Sequence, residues 1–568
     1  MKGGNKMRAR RILGVVLAMT LIISSFAACG QGAAKETTST TAGGTAGTTQ
    51  QTTAAAEKPD PFGKYEPAIE ITAVRSSAPA TVKYADGESL SNNVWTQAYE
   101  NELGIKVKYL WDADASQWES KTNIMIASSD LPDVFQATPV QFKQLYNSGM
   151  LQEMTKAYED YASPYTKQII LESGPDQFES AKIDGKLMAV PFTGLPKEGL
   201  PILYVRSDWL KNLNLPEPGT MDDLLKISQA FAKQDPDGNK KNDTFGLMID
   251  NQFYVQDFLK GFAYGYHAYP KAWIKDSSGK IIYGSIMPEM KTVLLKLQEM
   301  YKNGEIDKEF GSKDSTKVFE DIMASKGGMY FGQFWNPVYP QDTNVKNDPK
   351  TDWKAFPIVS ADDRQVKVVA NMGILGYWVV KKDAKNPEAV VKMLNMFTKI
   401  FYENTDFDTY RKYVNAEDGS EIWQNALVQA YRGFKNLAGY ENINAVLKGS
   451  KQASELTPEE KGNYDNIQKY LKDKDIVGFP WNKIYGENGS MGVIGVYKAN
   501  DAYVLNEFYG APTPGMTKNQ VTLDKLEIET FTKIILGKSI DEFDKFVDQW
   551  NKLGGEEITK EVNDLFLK

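Results

Sequence analysis

Residues 93–110 read NVWTQAYENELGIKVKYL, and the two halves of this stretch obey different periods. In the first half Trp95, Ala98 and Tyr99 recur at helical spacing. Asn93 opens the run and Gly104 supplies the stop, so a helix is expected from about residue 93 to 103. In the second half Lys106, Val107, Lys108, Tyr109 and Leu110 alternate polar with apolar, the period of a strand. Residues 69–74 read as a further strand just upstream. Strand followed by capped helix predicts an α/β architecture, with helices covering mostly parallel sheets.

The alternation continues along the chain. Thr220 with Asp223 forms a variant capping box ahead of Leu224, Ile227 and Phe231 at helical spacing. Asn386-Pro387 reads as an N-cap followed by a first-turn proline, with Val390, Met393, Leu394 and Phe397 in one stripe. Ser539 and Glu542 read as a second capping box before Phe543, Val547, Trp550 and Leu553, and Gly554-Gly555 as the end of that helix.

The N-terminus is of a different kind. Lys2, Lys6, Arg8, Arg10 and Arg11 precede an apolar run at residues 12–23, and Ala27-Ala28-Cys29-Gly30 follows. A basic n-region, a short h-region and small residues before a cleavage point make a secretory signal. The apolar run is too short for a bilayer, which needs roughly 20 residues. Cys29 is the only cysteine, placed as the nucleophile a lipid-transferring enzyme requires. The motif resembles the lipobox of bacterial lipoproteins, with Phe26 where Leu is usual. Residues 1–28 are therefore expected to be removed, and Cys29 to be lipidated. Residues 29–62, rich in Thr, Ala and Gly, cannot bury enough surface to offset chain entropy and read as a disordered tether.

Loss of the signal takes five positive charges and deepens the net charge from −8 to −13. An acidic chain argues against nucleic acid as a partner. No cysteine follows Cys29, so the core supports the fold without disulfides.

Several segments together resemble a known family. SDLPDV at 129–134, DGKLMAVP at 184–191, LYVRSDWL at 203–210 and NPEA at 386–389 are similar to motifs of extracellular sugar-type solute-binding proteins. Residues 512–516, 522–535 and 541–555 resemble segments of that family's large lipoprotein branch in soil Firmicutes. The shared order covers nearly all of residues 65–568. The resemblance implies a two-lobed periplasmic-binding-protein-like α/β fold, with mixed sheets flanked by helices and a hinge between lobes. Lobe 1 is expected at 63–191 and 370–415, lobe 2 at 192–369 and 416–568. It also implies a carbohydrate ligand and a partner permease of an ATP-binding-cassette importer, with a monomeric receptor held at the outer face of the cell membrane.

Asp235, Asp237, Asn239, Lys241 and Asp243 occupy alternate positions, the spacing of positions 1, 3, 5, 7 and 9 of an EF-hand loop. Lys241 would offer its backbone carbonyl. Lys240 replaces the loop glycine and Gly246 the bidentate Glu, so a full EF-hand is not expected. Calcium-binding oligosaccharide receptors that this chain resembles use such a shortened loop, often with an acid where Thr244 stands. The reading is a structural Ca2+ site; the alternative is a solvated turn ending the preceding helix.

A sugar presents apolar ring faces and a rim of hydroxyls, so its site needs aromatic platforms and short polar groups. Trp111, Trp335 and Trp481 lie in aromatic segments flanked by polar, loop-forming residues, and are the expected platforms. Asp112, Asn92 and Asn93 are the expected hydroxyl partners. Against catalysis, His267 is the sole histidine, in an aromatic run with no nucleophile motif beside it. There is no HExxH and no phosphate loop. Two alternatives to a transport receptor remain: a secreted glycoside hydrolase, which needs only two carboxylates, and a surface lipoprotein without a transport role.

Overall fold

The computed structural model describes residues 59–77, 81–254 and 256–566. The signal, Cys29 and most of the tether lie outside the described residues.

The opening stretch folds as its pattern predicts. The helix runs Val94–Leu103. The Asn93 side chain accepts the Trp95 and Thr96 amides, and Gly104 ends the helix at φ 66°. That left-handed conformation suits glycine, and a Cβ there would also lie 2.4 Å from the Tyr65 carbonyl oxygen. Trp95, Ala98 and Tyr99 all point into the core.

The first sheet contains β1 (Ile69–Ser76), β2 (Ile105–Ala113), β3 (Val134–Ala137), β4 (Val190–Thr193) and a later strand, Ile374–Val380. Its order is β2-β1-β3, then Ile374–Val380, then β4. β1 pairs in parallel with β2 and β3, while Ile374–Val380 is antiparallel to both neighbours. The second sheet holds β5 (Ile202–Arg206), β6 (Phe245–Leu247), β7 (Gly327–Gly332) and β8 (Trp353–Phe356) in the order β8-β5-β7-β6. β5 runs against β7 and β8, and β6 runs with β7. The sheets are thus mixed rather than mostly parallel, because a strand arriving from the other lobe inserts between two others in each, in a direction the local pattern does not specify.

Two hydrophobic cores follow these two sheets. One is built from residues in 71–192 and 377–430, the other from residues in 200–368 and 434–566. The chain passes between them three times, at 193–200, 370–374 and 431–434. These crossings touch. Thr193 donates through Oγ1 to the Tyr431 carbonyl (2.7 Å) and accepts the Tyr431 amide (3.0 Å). Gly373, at φ 69°, has no room for a Cβ, which would lie 2.6 Å from Pro196.

The last crossing comes later than the lobe boundary expected at 416. Ala426, Leu427, Val428 and Ala430 are buried in the first core. This segment has little regular structure, so no periodicity assigned it. Two expected caps also differ. Helix Glu388–Thr398 has Pro387 at its cap position and no side-chain cap; the Asn386 carbonyl accepts the Ala389 amide instead. Helix Asp541–Trp550 starts without a capping box, and Ser539 Oγ contacts Asp541. The Thr220–Asp223 box is formed in full. Among the described residues no helix is long and apolar enough to cross a membrane.

Candidate functional site

Register places the site. Ser76 and Ala113, the last residues of β1 and β2, are partners. β3 is parallel to β1, and its last residue, Ala137, faces Tyr377 midway along Ile374–Val380. That strand's first residue, Ile374, faces Thr193, where β4 ends. The carboxyl ends of four strands therefore share the edge from which the chain leaves for the second lobe, the edge where α/β sheets bind ligands.

A cavity of about 390 Å3 opens at this edge. Its walls are Trp118, Trp378, Trp423 and Tyr431; Arg75, Gln136 and Gln429 supply polar groups. The rings are braced against one another. Phe192 lies 5.4 Å from Trp378 and 5.2 Å from Tyr431, and Trp423 lies 5.8 Å from Tyr431, centre to centre. Trp378 Nε1 donates to the Gln429 carbonyl (2.7 Å), which ties the 423–431 segment to the sheet.

Of the expected sugar contacts on this lobe, none lines the cavity directly. Trp111 sits behind it: its ring is 5.7 Å from Trp118 and carries Lys121 Nζ 4.5 Å above it. It buttresses the wall. Asp112 is exposed at the strand end and accepts Ser77 Oγ (2.5 Å). Asn92 is exposed, donating to the Gly87 carbonyl and accepting Gln97. Asn93 is buried, and its amide is fully committed: Oδ1 takes two backbone amides, and Nδ2 donates to the Ser89 and Leu90 carbonyls. An Asn side chain offers no further donor, so capping leaves Asn93 nothing for a ligand.

On the second lobe Trp335 lies just beyond a strand end. Gly332, the end of β7, pairs with Ile202, where the chain enters this lobe. Just beyond, Trp335 Nε1 donates to Gln333 Oε1 (2.9 Å), and Gln333 Nε2 donates to Asp257 Oδ2 (2.9 Å). Asp257 is buried at φ 63° and paired with Lys260 (2.7 Å). The partly buried indole is thus oriented by a chain of side chains. Trp481 lies in a helix, Phe479–Tyr485, rather than a loop, with its ring nearly parallel to Tyr485 at 6.4 Å. That helix packs on the 337–341 turn after Trp335.

Trp118 follows Trp111 by seven residues, and an aromatic count extended by two helical turns would have included it. Trp378 reads as an ordinary core strand residue. Arg75 and the 423–431 segment carry no local signal, since only chain crossing brings them together.

The acidic loop joins helix Met221–Lys233 to β6. Asn239 Nδ2 lies between Asp237 Oδ2 (2.7 Å) and Asp243 Oδ1 (3.1 Å). Asp235 accepts the Lys240 amide, and Asn239 Oδ1 accepts the Lys241 amide. Burial, with the nearby Asp235 and Asp243 charges adding to it, pushes the Asp237 carboxyl above its usual range. Among the described residues no group of three His, Cys, Asp or Glu is gathered as a metal centre. The expected oxygen set is therefore adjacent but not converged.

His267 is buried at φ 59°. Its Nε2 meets both Asp362 Oδ1 (2.9 Å) and Ser360 Oγ (3.4 Å). A catalytic triad needs nucleophile and orienting carboxylate on opposite ring nitrogens of the histidine, so these three residues do not form one.

Known proteins place this geometry. The chain is 25% identical over 480 residues to the polygalacturonan/rhamnogalacturonan-binding protein YtcQ of Bacillus subtilis (strain 168), covering 82% of this chain and 86% of that one. It is 24% identical over 484 residues to Lipoprotein LipO of the same organism, covering 83% and 88%. A solved solute-binding protein associated with an ABC transporter of Bifidobacterium longum infantis ATCC 15697, described as HMO-binding, superposes with a TM-score of 0.55 at 16% identity, covering 88% of this chain and 98% of that one. The fold is that of the two-lobed periplasmic-binding-protein-like receptors. Residues 82–399, more than half of the sequence, match the pattern of bacterial extracellular solute-binding proteins, and the chain belongs to that family.

Proposed function

We propose that this protein is the receptor of an ATP-binding-cassette importer, which catches an oligosaccharide between its lobes outside the cell and passes it to a membrane permease. The aromatic cavity at the strand-end edge, beside three touching crossings, carries this reading. Indole faces take sugar rings and the glutamines take hydroxyls. Trp335 closes on the sugar from the second lobe. A ligand that binds the closed arrangement better shifts the population towards it. A glycan panel screened by thermal shift should yield a binder, and saturation with it should shrink the radius of gyration in solution scattering. Release of reducing ends from the same glycans would mark a hydrolase instead. Binding of no glycan would leave a surface lipoprotein.

The receptor acts as a monomer, tethered by a lipid on Cys29, as the lipobox-like motif and the kinship to a lipoprotein support. Calcium pins the 235–243 loop. The donors are hard oxygens, and the Asn239 nitrogen holds a position between two carboxylates that a cation would favour. A half-turn of that amide brings its oxygen inwards. Millimolar calcium should raise the melting temperature by a few degrees, by mass action on the folded state. Asp237→Ala should abolish the rise. A melt indifferent to calcium and chelator would leave the loop a simple turn.

A further inference from the structure

Five arginines occur among the described residues, and four are ion-paired: Arg206 with Asp208, Arg364 with Asp362, Arg411 with Glu417 and Arg432 with Glu172. Arg75 is the exception, and it lines the cavity. No carboxylate lies within 4.0 Å of it among the described residues. Its guanidinium is held by neutral carbonyls: Nη1 donates to Asn425 (2.9 Å), Nη2 to Gln424 (2.5 Å) and Nε to Ser76 (3.3 Å). Those three bonds fix the plane of the fork and leave one N–H on each terminal nitrogen. They do not neutralise the charge.

The neighbouring acids are engaged elsewhere. Asp112 takes the Ser77 hydroxyl, and Asp114, on the cavity rim, takes the Ser116 amide and hydroxyl. A cation withdrawn from water without a counter-ion is costly unless something completes it. A preoriented guanidinium with two free N–H groups matches a carboxylate better than any hydroxyl.

We propose that the captured oligosaccharide carries a carboxylate, as a uronic acid residue does, and that Arg75 selects for it. This rests on the carbohydrate-receptor reading above. The indoles take the ring faces, and the Arg75 guanidinium takes the carboxylate.

The test is calorimetric titration with two sets of probes: oligomers of galacturonate, glucuronate and mannuronate, and neutral oligomers of galactose, glucose and fructose of equal length. Binding is expected among the acidic set. Reducing the carboxyl groups of the bound oligomer to alcohols should weaken it at least tenfold. Arg75→Gln should erase the difference between the acidic oligomer and its reduced form. Arg75→Lys, which keeps the charge and loses the fork, should bind more weakly yet still prefer the acidic form, and its unchanged melting temperature would show that the fold survives. Equal affinity of the wild type for acidic and reduced oligomers, or preference for a neutral oligomer, overturns the selection by Arg75 and leaves the receptor reading intact. Binding of neither set overturns both.

Discussion

Trp118→Ala is expected to lower glycan affinity by about 100-fold while the free protein still melts cooperatively. Trp118 is partly exposed in helix Ala115–Ser128 and faces the cavity. Its aromatic neighbour among the described residues, Trp111, packs on the first core as Trp118 does, so removing the outer indole leaves the inner one in place. Aromatic anchors in binding sites typically contribute about 2–4 kcal/mol on truncation, and about 2.7 kcal/mol corresponds to 100-fold. The cost to the fold is limited to the part of the ring that packs on the first core, since Trp118 also lines the cavity. Titration of the variant with the glycan found for the wild type, alongside thermal melts, reads both quantities. Unchanged affinity would remove Trp118 from the sugar contact. A large loss of stability would make it a core residue.

Glu198 is expected to take stability from the free protein as pH rises from about 4.5 to 7. It lies on the first crossing and is 1% exposed. Oε2 accepts Asn436 Nδ2 (2.7 Å) and Oε1 the Leu437 amide (2.8 Å). Both belong to the first turn of helix Lys435–Leu447, which follows the third crossing and has no side-chain cap of its own. Glu198 caps it from a segment more than 230 residues away. Burial pushes this carboxyl up to about 7, against the pull of the Leu437 amide, the Asn436 side chain and Lys435. A folded-state pKa above the unfolded one favours folding when the group is protonated. The contribution is full below the unfolded value near 4.5 and is lost as pH rises through about 7. The whole window is worth on the order of 3 kcal/mol, of which about 1 kcal/mol falls between pH 6 and 8. Asp250, buried and pushed up to about 6, acts in the same direction at lower pH. Denaturant titrations at pH 6 and pH 8 should show the loss in the wild type and not in Glu198→Gln. Equal slopes in both proteins would assign the pH dependence to other groups.

Kinship and the edge geometry bear on different questions. The family assignment covers the chain's class, whereas the proposed sugar contacts follow from which side chains reach one edge. Of the aromatic residues expected as platforms, Trp111 supports the wall that Trp118 forms, and Trp481 lies in a helix next to the Trp335 turn. Asn93 is polar and opens a helix, and that same position commits every atom of its amide to local hydrogen bonds.

By itself the amino-acid order determined the pieces whose causes are local. The Val94–Leu103 helix, its Asn93 and Gly104 ends, the Thr220–Asp223 box and the alternating β2 strand all follow from neighbours within a few residues, where propensity and hydrogen-bond reach operate. Tertiary structure alone decided where β4 and the Ile374–Val380 strand insert, that residues 422–431 join the first lobe, and that Arg75, Trp118, Trp378 and Trp423 share one cavity. These residues come from segments hundreds of positions apart. Their meeting depends on the burial of two whole cores and the three crossings between them, and that free energy leaves no periodic mark on any single stretch of the chain.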